Sequence, residues 1–177
     1  MAEKIEELLN NASQARREHR HADARKDLEE AVRLARASED QIETARALAA
    51  LGQIERDLGD GDAALLHYEE AVAILRQGND PLKLAHTIRH VADILQDEGR
   101  MAAAEPLYRE ALALYRGNGQ TPPLDLANAI RGLALLTTKA GRSPEARALW
   151  EEARQLYAAV NVAAGVAEST RQLALLG

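Results

Sequence analysis

His86 and His90 stand four residues apart, a spacing that puts two imidazoles on one face of a helix where they could share a metal ion. The residues between them are Thr87, Ile88 and Arg89. The glutamate of the HExxH arrangement is therefore missing, and the Arg89 guanidinium would repel a cation. No nearby carboxylate is aimed as a third ligand, so no metal site is expected. His19 and His21 fall in a polar turn and read as solvated. The acidic pairs Glu29-Glu30, Glu69-Glu70 and Glu151-Glu152 recur at a long, regular interval. Such recurrence marks a solvated stripe rather than a catalytic dyad. There is no G-x-x-x-x-G-K-[ST], G-x-G-x-x-G or G-x-S-x-G segment to cradle phosphate or present a nucleophile. The expectation is a protein that is not an enzyme and needs no cofactor.

Arginine offers different chemistry. Arg89, Arg131 and Arg171 are spaced 42 and 40 residues apart, with His86 and Asn128 three residues before the first two. Guanidinium groups carry forked donors that match carboxylates and phosphates. Residues so far apart can share a surface only if the chain repeats at that interval.

It does. DLEEAVRLA from Asp27, HYEEAVAIL from His67, LYREALALY from Leu107 and LWEEARQLY from Leu149 align, with shared alanines Ala31, Ala71, Ala111 and Ala153 spaced 40, 40 and 42 residues apart. A second series precedes them: ARALAALGQIERDLG from Ala45, AHTIRHVADILQDEG from Ala85 and ANAIRGLALLTTKAG from Ala127. A fainter copy opens the chain at Ile5, and another closes it at Ala167. Five first helices and four second helices follow. In the second repeat Ala45, Leu48, Leu51, Gly52 and Leu58 fall on one face at about 100° per residue. Ala12, Gly52, Ala92, Ala134 and Ala174 form a small-residue column suited to a close helix crossing. Gly59, Gly99 and Gly141 end first helices, where a left-handed cap is favoured. Ser143-Pro144, Asp80-Pro81 and Thr121-Pro122 read as N-cap plus first-turn proline.

The recurring small residue, turn glycine, alanine (Ala64, Ala104, Ala146), aromatic (Tyr68, Tyr108, Trp150) and later alanine resemble the tetratricopeptide repeat. The likeness is to the longer form, of about 40–42 residues, seen in kinesin light chains. The stretch from Gly99 to Tyr115 matches best, including Glu105-Pro106 inside its second helix, while the first repeat has His19 for the glycine and Leu28 for the aromatic. Since one helix pair cannot bury its apolar face alone, pairs must stack. The expected fold is all-α: a right-handed superhelical solenoid of antiparallel helix pairs, about four repeats plus a closing helix. It forms one domain over 1–177, with repeats near 1–38, 39–79, 80–120 and 121–160 and the closing helix over 161–177.

The resemblance implies that first helices line a concave surface where ligands lie. The positions one, four, eight, eleven and twelve residues after Ile5, Ala45, Ala85, Ala127 and Ala167 avoid the packed stripe. They hold eight cations, Arg16, Arg17, Arg46, Arg56, Arg89, Arg131, Lys139 and Arg171, against five anions, Glu6, Asp57, Asp93, Asp97 and Glu168, in a chain of net charge −6. A groove whose basic members include Arg46, Arg56, Arg89, Arg131, Lys139 and Arg171, with His86 and Asn128, would suit an acidic peptide, a C-terminal carboxylate or a phosphorylated segment. The competing reading is ordinary solvated arginine. Arg89 and Asp93 form an i,i+4 pair worth only about 0.3–0.5 kcal/mol. Arg131 and Arg171 face Leu135 and Leu175 instead and lack that partner. Both leucines read as core, and Tyr68, Tyr108 and Trp150 as packing anchors.

Composition trims the alternatives. The chain is 46% hydrophobic and 28% charged, as folded chains are, and no apolar run reaches the roughly 18 residues of a membrane helix. The acidic total and five aromatic residues weigh against nucleic acid as a partner. The N-terminus lacks a secretory layout, which points to the cytoplasm. The expected function is a protein- or peptide-binding scaffold. Its alternative is a structural or oligomerisation module of a larger regulatory assembly, with self-association as its mode.

Overall fold

Four of the five first helices end in the same backbone device. The amide of the residue beyond the turn reaches back five positions: Arg20 to the Ala15 carbonyl (2.8 Å), Asp60 to Glu55 (2.9 Å), Arg100 to Leu95 (2.8 Å) and Arg142 to Thr137 (3.0 Å). This closure needs a left-handed residue inside it. Gly59, Gly99 and Gly141 supply it at φ +83°, +77° and +72°, and His19 is forced into it at +58°. The polypeptide thus turns back at fixed places, and nine helices result.

The computed structural model describes residues 1–177. The helices are α1 (Ala2–Arg17), α2 (His21–Ala37), α3 (Gln41–Asp57), α4 (Gly61–Leu75), α5 (Pro81–Asp97), α6 (Met101–Arg116), α7 (Pro123–Lys139), α8 (Ser143–Ala159) and α9 (Ala163–Leu175). There are no strands, and the chain is an all-α helical repeat solenoid. It divides into two compact units, Met1–Asp80 and Pro81–Gly177. In the first, α1 packs with α2, α2 with α3, and α3 with α4; in the second, the same succession runs from α5 to α9. No helix is long and apolar enough to cross a membrane.

Alanine explains how closely these helices approach. Ala24, Ala64, Ala104 and Ala146, and then Ala31, Ala71, Ala111 and Ala153, each have no exposure at all. Beside them Leu28, Tyr68, Tyr108 and Trp150 are at most 2% exposed. Burying each such large side chain stabilises the fold by about 1.5–3 kcal/mol. The Trp150 indole finds a partner, donating to the Thr138 hydroxyl at 3.0 Å.

Several local expectations are corrected. Ser143 is the first residue of α8, not its cap; Arg142 precedes it without a side-chain cap bond, because the closure at Gly141 restarts the helix one residue earlier. Thr121 does not cap α7, which begins at Pro123; its hydroxyl donates to the Tyr115 carbonyl instead. Asp40 on α3 and Asp60 on α4 are side-chain caps, each accepting from an amide three residues on. Leu58 ends α3 and is 46% exposed. Leu135 is half-buried, and Leu175 is 75% exposed rather than core. On α9 only Gly165, Ser169 and Leu173 are buried, while Ala167 and Ala174 are exposed. Their counterparts on α7, Ala127 and Ala134, are buried on a helix that packs against both α6 and α8, whereas α9 packs mainly against the preceding α8.

Candidate functional site

In the second unit, three tyrosines from second helices send their rings between first helices. Glycine makes the room. A Cβ on Gly132 would lie 2.3 Å from the Tyr108 ring, and one on Gly165 would lie 2.4 Å from the Tyr157 ring. The ring bodies are buried at 1% and 2% exposure, and their hydroxyls emerge on the first-helix side. Tyr108 donates to Asp93 Oδ1 at 2.7 Å, and Tyr157 donates to Asn128 Oδ1 at 2.8 Å. Burial raises the pKa of both phenols. Tyr115 is also buried beside Arg89, and burial, with the Asp125 charge, pushes its pKa up to about 12 against the opposing pull of the guanidinium.

Several arginines and carboxylates of the first-helix columns are paired. Arg89 Nη1 donates to Asp93 Oδ2 at 2.7 Å, so Asp93 accepts from both Arg89 and Tyr108. Arg131 grips Glu168 of α9 in a fork, Nε to Oε2 at 2.6 Å and Nη2 to Oε1 at 2.8 Å. The view of Arg131 as lacking a partner is corrected here: the partner lies 37 residues on, beyond any i,i+4 inspection. Lys139 and Arg171 are exposed and bound to no carboxylate.

The first unit repeats the arrangement. Arg46 of α3 forks onto Glu6 of α1 at 2.5 and 3.2 Å, and Arg16 of α1 onto Asp57 of α3 at 2.5 and 3.3 Å. Burial works against ionising Asp57, but the bonds from Arg16 and Gln53 outweigh it and hold its pKa below the usual value. Arg17 donates to the Ser13 hydroxyl at 2.9 Å, and Arg56 is half-buried.

His90 has a defined tautomer. Arg89 Nη2 lies 2.8 Å from His90 Nε2, and a guanidinium only donates, so that nitrogen is an acceptor. His86 Nε2 lies 3.2 Å from the same nitrogen. His86 Nδ1 faces Asp125 at 3.9 Å. Desolvation, then the charge of Arg89, lowers the His86 pKa against the opposing pull of Asp125 and Asp93. No group of three His, Cys, Asp or Glu side chains converges to hold a metal ion.

The structure thus joins His86 and Arg89 in one cluster, links Asn128 to Tyr157 and Arg131 to Glu168, and leaves Lys139 and Arg171 at the surface. The tyrosine hydroxyls and Asp125 escaped the pattern reading. The small residues Gly132 and Gly165 were the available signal, since each marks where a ring crosses. Chemically, this face is a row of charge-assisted hydrogen bonds that a peptide's carboxylates and amides can join or exchange. It has no activated nucleophile.

Comparison with known proteins agrees with this geometry. Tetratricopeptide repeat profiles match residues 4–77 and 84–117. No curated protein sequence matches the chain. Among solved structures it is similar to BtubC (BKLC) from P. vanneervenii, with 20% identity, a TM-score of 0.80, and coverage of 89% of this chain and 64% of that one. Aspartyl phosphate phosphatase F from Bacillus subtilis is similar at 14% identity and a TM-score of 0.87, over 98% of this chain and 45% of that one. So is a signal transduction ATPase with numerous domains, carrying a tetratricopeptide repeat sensor, from Pyrococcus horikoshii, at 17% identity and a TM-score of 0.84, over 97% of this chain and 26% of that one. The chain therefore spans less than two thirds of the length of each. Repeat series, helix hairpins and profile matches converge on one assignment: the chain belongs to the tetratricopeptide repeat family.

Proposed function

We propose that this chain is a non-catalytic scaffold that holds a protein or peptide on the face made by its first helices, and that it favours acidic or carboxylate-bearing segments. Repeats of this family mediate protein–protein interactions, which supports the general reading. The finer preference is supported by Lys139 and Arg171, which this reading assigns to that face and which are exposed. The paired arginines contribute shape and hydrogen-bonding capacity more than net charge. In this reading the whole of 1–177 serves as one repeat domain.

An acidic peptide with a free C-terminal carboxylate, titrated by fluorescence anisotropy, tests the proposal. The Lys139→Ala, Arg171→Ala double variant should bind it roughly tenfold more weakly, with an unchanged thermal melt. Unaltered affinity would defeat the acidic-ligand reading. Arg131→Ala is a poorer probe because it strands Glu168, whose side chain is only 21% exposed.

A second reading, self-association as a structural module, draws on the exposed apolar residues of α9, with Leu175 at 75% exposure. Sedimentation velocity separates the two, since a concentration-independent monomer excludes self-association.

A further inference from the structure

At the turn between α1 and α2 lies a cavity of about 430 Å³ lined by Arg16, Arg17, His19, His21 and Asp57. We propose that this cavity binds a phosphate group, borne by a phosphorylated side chain of a partner or free in solution. The inference uses α1, α2 and α3 alone; Arg16, Arg17 and Asp57 also stand in the first-helix columns, but the site does not require the acidic-peptide preference proposed above.

The wall is rich in uncommitted donors. Arg16 gives Nε and Nη2 to Asp57, leaving Nη1. Arg17 gives Nη1 to Ser13, leaving Nε and Nη2. Planar guanidinium forks match phosphate oxygens better than any other side chain does. The carboxylate in the wall is already satisfied, because Asp57 accepts from Arg16 and, at 2.9 Å, from Gln53. The His21 ring also lines the wall. The arginines are not needed to cap α1, since the carbonyls of Gln14, Ala15 and Arg16 already accept from the amides of Glu18, Arg20 and His19.

Two backbone features point the same way. Helix α2, 17 residues long, starts at His21 with no side-chain cap bond at its N-terminus, as do α1, α6, α7, α8 and α9; what sets α2 apart is the pair of arginines beside that end. Its positive end therefore favours an anion. Asp23 in its first turn is engaged by Arg20 at 2.7 Å. His19, moreover, holds φ +58° at the position where the other three first helices end in glycine. A side chain in that conformation is strained, and glycine would relieve the strain. Histidine at this turn weakens the fold locally and places an imidazole on the cavity wall, 6.0 Å from the His21 ring.

The test uses the full chain, with inorganic phosphate, a phosphoserine peptide, its unphosphorylated form and acetate as probes at matched ionic strength, followed by amide NMR. Inorganic phosphate and the phosphopeptide should each give saturable shifts confined to residues 16–23. Tighter binding of the phosphopeptide identifies a modified partner, and equal binding identifies the phosphate group alone as the ligand. Arg17→Ala and His19→Gly should each weaken binding roughly tenfold, while His19→Gly raises the melting temperature. That opposition of stability and affinity separates a site from a merely structural turn. Absence of saturable shifts, equal shifts with acetate, or wild-type affinity in His19→Gly would each overturn the proposal.

Discussion

Gly132→Ala tests whether buried tyrosine rings set the spacing of the first helices in the second unit. Alanine in mid-helix should stabilise by about 1 kcal/mol through helix propensity alone. Its Cβ, however, would stand 2.3 Å from Tyr108 Cε1 and 2.7 Å from Cζ, far inside contact distance. The ring is 1% exposed and its hydroxyl is bonded to Asp93 at 2.7 Å, so it has no free direction in which to withdraw. Overpacking costs about 1–3 kcal/mol, and a lost hydrogen bond to a charged acceptor costs about 1.5–3 kcal/mol. Steric overlap therefore beats propensity, with a net loss of about 1.5–5 kcal/mol. Urea melts followed by far-UV circular dichroism should show it, and Tyr108→Phe isolates the hydroxyl's share. Gly132→Ala melting at or above wild type would mean that propensity prevails and the ring is not locked, refuting the reasoning.

Three further outcomes follow from the same geometry. The folded pKa of His86 is depressed, so the unfolded chain binds more protons as pH falls through the ordinary histidine value of about 6.5. Stability should be full above that pH and decline below it, and His86→Gln should flatten the decline in pH-dependent melts. Tyr115, with its pKa raised to about 12, should stay protonated when solvent-exposed phenols ionise near 10, as ultraviolet titration would reveal. Its contribution to stability is present below about 10 and lost as pH rises toward 12. A double-mutant cycle on Arg131 and Glu168 should give a coupling of only about 0.5–1 kcal/mol that shrinks with salt, because the two side chains are 40% and 21% exposed.

The repeat was legible without coordinates because its signals are local. Small residues at fixed intervals, turn glycines and the 3.6-residue period act within one helix hairpin. Hence Ala64, Tyr68, Gly59 and their counterparts could be placed from spacing alone. The candidate site was legible only as a set of residue types. Arg46, Arg89 and Arg131 were rightly assigned to first helices, but the identity of each partner was not recoverable. Glu6 is 40 residues before Arg46, and Glu168 is 37 after Arg131. Such pairings depend on the angle and offset between stacked helices, which no window of sequence encodes.

Conformation and burial divide the same way. His19 was noticed as a departure from glycine; that it keeps the left-handed turn, and so carries strain beside a cationic cavity, emerges only from the fold. Leu175 has a core residue's chemistry, yet burial is a property of neighbours, and α9 packs mainly against α8. Glu55 is the converse, a carboxylate only 1% exposed that is tolerated because Arg25 of α2 reaches it at 3.0 Å. Sequence alone determined that hairpins form, how many, and which faces pack, since those follow from periodicity and backbone preference. Tertiary structure alone decided which charges neutralise each other and which donors stay available, because ion pairing depends on distances between helices remote in the chain.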